Sequence, residues 1–199
     1  MLTLALDTAT PRSSCALLRD EALLGERETK AISVLAAADG LLDEAGLSAG
    51  DLERIVCGTG PGSFTGIRIG LAAARGLALA LDLPLAGVST LLALQAAAPR
   101  SLPVIDGSRK EVFTLIEGRP AVIRPEDLEP APGTLCVGDG AVFYRAVLEA
   151  AGAEVPPDAS ELHLVRARFH ARLAGDFGPA ELVEPLYLRV PDAEKALGR

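Results

Sequence analysis

The run Gly58-Thr-Gly-Pro-Gly-Ser-Phe-Thr-Gly-Ile-Arg-Ile-Gly70 constrains this chain more than any other segment. It leaves a strand-like apolar stretch, Arg54-Ile-Val-Cys57, and enters a long alanine-rich helix. Five glycines in thirteen residues sit where backbone turns sharply and then packs closely. Each glycine inside a helix costs about 0.8–1 kcal/mol relative to alanine, so a close approach of other backbone or of a ligand must offset that cost. The spacing fits neither G-x-G-x-x-G nor the G-K-[ST] end of a phosphate loop. It predicts a strand, a tight loop whose helix-side amides could hold an anion, and a helix capped by Ser63 or Thr65.

Around this run the pattern is α/β. Leu2, Leu4 and Leu6 alternate with Thr3 and Ala5, and apolar stretches at 14–19 and 22–27 follow after short turns, which predicts a three-stranded meander. A helix over 31–45 stops at Gly46, a residue suited to the left-handed position after a helix end. Beyond the run come a helix over 65–81, a strand over 85–88 and a helix over 90–98. Pro99 and Pro103 bracket a boundary, dividing the chain into halves 1–99 and 100–199. The second half repeats the order, with strands over 102–106, 111–117, 121–124 and 134–137. Gly138-Asp139-Gly140 then opens a helix over 141–151, and a last helix covers 160–174. No strong sequence repeat accompanies this duplication.

Charge and cysteine usage exclude several classes. The formal charge is −8, so the surface repels a phosphate backbone instead of recruiting it by counterion release, and unaided nucleic-acid binding is not expected. Cys15, Cys57 and Cys136 are far apart in apolar contexts and read as reduced core thiols of a cytoplasmic protein. The start of the chain lacks a basic region and carries Asp7 within its first apolar run, unlike a signal peptide. The stretch 67–88 is interrupted by Arg68, Arg75, Asp82 and Pro84, so no membrane span is expected.

Few residues have the makings of catalysis. Asp7 and Asp106 close the first strand of each half, where paired carboxylates could grip magnesium; capping a turn is the other reading of both. His163 and His170 lie seven apart without acidic or cysteine partners at ligand spacing, which favours structural roles over a metal. Ser63 sits outside a G-x-S-x-G elbow and reads as a helix cap. Arg68 and Arg75 share one side of their helix, either as a salt-bridged edge or within reach of a phosphate.

Taken together, Leu4–Thr10, Leu41–Leu47, Gly60–Leu71, Gly76–Ala80, Gly87–Ser89, Asp106–Val112, Gly138–Gly140 and Pro185–Arg189 resemble the TsaB (YeaZ) family over nearly the whole chain. The G-P-G-S-F-T-G-x-R run is the most specific part of the match. The resemblance implies the duplicated fold of actin, Hsp70 and sugar kinases. It also implies a non-catalytic partner of TsaD, the enzyme that threonylcarbamoylates the adenosine next to the tRNA anticodon with help from the ATPase TsaE. The chain departs from the family at Ala31-Ile32-Ser33, where a His-Ser pair is usual, and from TsaD in having no histidine before His163, hence no H-x-x-x-H metal site in its first half.

The expectations are therefore no catalytic residue, no metal and no cofactor of the chain's own, with ATP or ADP bound weakly or at an interface. A vestigial nucleotide cleft would involve Asp7, Thr8, Gly62, Arg68 and Asp106. The partner surface is expected on the two long helices of the first half, at Val34, Ala37, Ala38, Leu41 and Leu42 and at Ile69, Ala73, Gly76 and Ala80. TsaD would bind there as a heterodimer, TsaE and tRNA would join through the complex, and the chain alone would be a homodimer. The alternative is a self-sufficient glycoprotease-like hydrolase or a small-molecule kinase of the same fold.

Overall fold

The computed structural model describes residues 1–189. β1 (Leu2–Asp7), β2 (Ser13–Arg19) and β3 (Ala22–Thr29) form the expected antiparallel meander. A 3-10 turn at Ala31–Ser33 leads into α1 (Val34–Glu44), and Gly46 follows at φ +67°. Then come β4 (Arg54–Gly58), α2 (Phe64–Leu81), β5 (Leu85–Val88) and α3 (Thr90–Ala97). β4 and β5 add in parallel to β1, so the sheet order is β3-β2-β1-β4-β5. All six residues of β1 are buried, as expected of a strand covered on both faces.

One face is covered by α1 and α2. Leu2, Leu4, Leu6, Leu17 and Ile55 of the sheet meet Val34, Leu41 and Leu42 of α1 and Leu71, Ala74 and Ala78 of α2. α2 is long and apolar enough to cross a membrane by length and composition, yet it carries Arg68 and Arg75 and packs on this sheet.

The second half continues with β6 (Leu102–Pro103), β7 (Ile105–Asp106), β8 (Val112–Ile116), β9 (Arg119–Ile123), β10 (Cys136–Val137), α4 (Asp139–Phe143), α5 (Arg145–Ala150) and α6 (Ala167–Leu173). The single strand expected over 102–106 is split in two. β6 pairs in parallel with β10, and β7 pairs antiparallel with β8. Pro103 has no N–H to offer a continuous ladder, while Val104 still donates to Val137 O at 2.7 Å. Across β9, β8, β7/β6 and β10 the arrangement repeats the β3-β2-β1-β4 order of the first half. This is the duplicated α/β fold of actin and the sugar kinases.

Two helix expectations are corrected. The helix expected over 141–151 starts at Asp139 and breaks at Tyr144 into α4 and α5. The helix expected over 160–174 is a 3-10 turn at Glu161–His163 followed by an extended link and α6. The link is docked on β2, where the Ser14 hydroxyl donates to Val165 O at 2.9 Å.

The division at residue 99 also fails near the end of the chain. Ala167 and Ala171 of α6 cover the other face of the first sheet, against Ala5, Ala16, Val56 and Ala86. Glu26 of β3 accepts from the Arg168 amide at 3.0 Å and from its guanidinium at 2.6 Å. Gly178 bridges to Leu85, and the Leu186 amide donates to Thr59 O at 2.8 Å. Residues 164–189 thus return to the first half.

Candidate functional site

Asp7 ends β1 with its carboxylate 1% exposed, inside a cluster drawn from three elements. Oδ1 accepts from the Ala9 N–H at 2.8 Å, and Oδ2 accepts from Thr90 Oγ1, at the start of α3, at 2.7 Å. His170 of α6 is fully buried, and its Nε2 stands 2.9 Å from Oδ2, off the line of an aligned hydrogen bond. Burial pushes the Asp7 carboxyl up, but His170, Thr90 and the Ala9 amide outweigh it and hold it below its ordinary value. Burial pushes the neighbouring Cys57 thiol up to about 12, with the Asp7 charge adding to the effect. A histidine, a hydroxyl and a backbone amide thus surround this carboxylate.

The glycine run is filled by the chain's own β1–β2 turn. The Ser63 amide donates to Ala9 O at 2.7 Å, and Thr8 Oγ1 donates to Gly66 O at 2.7 Å. A Cβ at Gly66 would stand 2.1 Å from Thr8 O, one at Gly70 2.2 Å from Thr8 Oγ1 and one at Gly62 2.3 Å from Ala9 O. The glycines therefore let α2 seat directly on residues 8 and 9. Ser63 is the cap foreseen, its hydroxyl accepting from the Gly66 amide at 3.3 Å.

The five expected cleft residues do not form one group. Asp7, Thr8 and Gly62 are joined through the contacts just described. Arg68 lies on the exposed side of α2, with its guanidinium carbon 3.8 Å from the Phe64 ring centroid and its Nε donating to the Tyr187 hydroxyl at 3.1 Å. Asp106 belongs to a separate cluster. Its amide donates to Asp139 Oδ1 at 3.1 Å, and its own Oδ1 accepts from the Ser108 amide at 3.0 Å, which is the turn-capping reading. Asp139 also accepts from the Gly140 amide at 2.9 Å; burial together with the nearby Asp106 charge raises its carboxyl despite these donors.

Sequence reasoning missed Thr90 and Asp139 as partners of the two strand-end aspartates. Their signal was positional: each stands where a strand gives way to a helix beside a glycine or serine, at Ser89-Thr90 and Gly138-Asp139. Both histidines are internal. His163 Nδ1 lies 3.1 Å from both the amide nitrogen and the carbonyl oxygen of Gly138, and Nε2 lies 3.1 Å from Pro156 O. Among the described residues no cluster of three or more His, Cys, Asp or Glu could hold a metal. All three cysteines are buried and unpaired, as read from the sequence.

The expected partner residues divide sharply. Val34, Ala38, Leu41 and Leu42 are 1–4% exposed and belong to the chain's own core, so that face of α1 is not an open surface. Ala37 is half-buried against the same core. On α2, Gly76 and Ala80 are exposed while Ile69 and Ala73 are half-buried. At about 100° per residue, the open arc of α2 is centred nearer Thr65, Arg68, Ala72, Gly76 and Leu79. Leu79 is 71% exposed, and on the neighbouring α1 side Ile32 is 83% and Leu35 45% exposed. A groove of about 330 Å³ between the helices is lined by Leu35, Ala36, Asp39, Leu42 and Leu77 among others.

Residues 30–146 match the family model of TsaD, tRNA N6-adenosine threonylcarbamoyltransferase. An uncharacterized protein of Mycobacterium tuberculosis is 37% identical over 96% of this chain and 93% of its own length. The tRNA threonylcarbamoyladenosine biosynthesis protein TsaB of Bacillus subtilis is 36% identical over 57% of this chain, and the match spans 54% of that protein. Among solved structures, YeaZ from Pseudomonas aeruginosa superposes with a TM-score of 0.76 at 29% identity, covering 94% of this chain and 99% of that one. Sequence, family model and fold agree with the glycine run that seats α2 on the β1–β2 turn: the chain belongs to the TsaB (YeaZ) family.

Proposed function

We propose that this chain serves tRNA threonylcarbamoyladenosine synthesis as a non-catalytic subunit that docks on TsaD through the open sides of α1 and α2. The observation that carries this is the apolar stripe left uncovered there, with Leu79 at 71% and Ile32 at 83% exposure flanking the small residues Ala72 and Gly76. Small residues let helices approach to about 8–10 Å, and a patch of this kind marks a protein interface. On this reading TsaE and tRNA join through the complex in the cytoplasm, and a second copy covers the stripe when TsaD is absent. The kinase alternative has less support, since Asp7 is engaged by His170 and the glycine run by Thr8 and Ala9. ATP or ADP, where bound, would sit at an interface.

The test is capture of TsaD by the purified chain and by its Ala72→Asp and Leu79→Asp variants. Both positions are exposed, so folding should be kept and TsaD binding lost. Retention of TsaD by both variants would show that the surface lies elsewhere.

A further inference from the structure

We propose that Phe64, Arg68 and Tyr187 form a carboxylate-recognising anchor at one end of the α2 stripe, and that this anchor selects the protein partner. The proposal rests on α2 being a partner surface and names the chemistry that surface demands. The Arg68 guanidinium lies over the Phe64 ring at 3.8 Å, its Nε donates to the Tyr187 hydroxyl at 3.1 Å, and the two rings are 5.2 Å apart. Tyr187 is itself held from both sides. The preceding Leu186 amide donates to Thr59 O at 2.8 Å, and Arg189 donates to Gly107 O at 2.6 Å.

This seat uses one ring face and one donor of Arg68. Nη1 and Nη2 have no partner among the described residues. Other surface arginines are closed by carboxylates, as Arg12 is by Glu28, Arg27 by Glu44 and Arg145 by Glu149 and Asp158. Arg68 is instead a guanidinium fixed in plane with its forked edge open, half of a bidentate pair.

Its place on the helix decides the other half. At about 100° per residue Arg68, Leu79 and Ala72 fall within roughly 40° of one another, so whatever covers the stripe also covers Arg68. Burying a guanidinium without an anion is strongly unfavourable, so the partner has to supply one. An RNA phosphate would leave Ala72 and Leu79 uncovered, and the net charge of −8 repels a polyanion. A protein helix that carries an Asp or Glu beside small apolar residues satisfies both demands. A protein presenting only apolar residues there is rejected, because it leaves the charge unpaired.

Calorimetric titration with TsaD separates the outcomes, using the full chain and variants checked for fold by circular dichroism. Arg68→Ala should weaken TsaD binding by roughly 10–100-fold, and Arg68→Lys should recover only part, since an ammonium cannot span both oxygens. Tyr187→Phe should fall between wild type and Arg68→Ala. Arg68→Glu should be restored by exchanging one Asp or Glu of TsaD for Lys. If Leu79→Asp abolishes binding and Arg68→Ala does not weaken it, the surface stands and the anchor is refuted. If neither variant weakens it, both ideas fall. If inorganic phosphate or a short RNA binds wild type but not Arg68→Ala while TsaD binding is unchanged, the fork takes phosphate and the proposal is overturned.

Discussion

Asp7 Oδ2 and His170 Nε2, from opposite ends of the chain, lie 2.9 Å apart with neither side chain more than 1% exposed. The pair joins the first strand to α6, and the Ala9 amide and the Thr90 hydroxyl complete the set of polar partners that Asp7 has among the described residues.

Breaking such a pair leaves a buried charge alone, which costs about 3–5 kcal/mol. His170→Ala should therefore lower the urea midpoint sharply. The double variant Asp7→Asn, His170→Ala should recover part of the loss. A double variant no more stable than the single one would show that His170 acts through packing and not through charge.

Acid should act on Asp7 and Asp139 in opposite senses. The folded Asp7 carboxyl lies below its ordinary value of 3.8, so its stabilisation is complete above that value and is lost as pH falls through the lower folded value. The Asp139 carboxyl lies above 3.8, so ionising it opposes folding as pH rises through the raised value. Asp139→Asn keeps an acceptor for the Asp106 and Gly140 amides without the charge. Urea midpoints should be higher for this variant than for wild type at neutral pH and converge with it in acid. A variant less stable at neutral pH would contradict the assignment.

Two glycines of α2 should respond oppositely to alanine. A Cβ at Gly66 would meet backbone at 2.1 Å, whereas at Gly76 nothing lies within 4 Å. Gly66→Ala should cost about 1–3 kcal/mol or more, and Gly76→Ala should gain about 0.5–1 kcal/mol. Thermal melts of the two variants decide it, and equal shifts would mean that α2 does not sit on Thr8.

The first half was legible because its elements are long and strongly patterned. The meander, the Ser63 cap and Gly46 each follow from local chemistry. The second half was less so: β6, β7 and β10 are two residues each, too short for a period to register. The face of α1 was misread because an apolar arc records burial without saying against what, and Val34 and Leu41 turned out to face the chain's own sheet. On α2 the error was angular, since with alanines on nearly every side only Leu79 and the arginines mark the outside. The contact between Asp7 and His170 had no local signal, because it depends on where α6 returns.

That return has a consequence for synthesis on the ribosome. The second face of the first sheet, with Ala5, Ala16, Leu18, Val56, Ala86 and Val88, is closed by Ala167 and Ala171. All five strands of that sheet are translated by residue 88, yet the cover arrives some eighty residues later. A nascent chain stalled in between presents an apolar wall to solvent, so the vulnerable period in making this protein falls after its most recognisable motif is already in place.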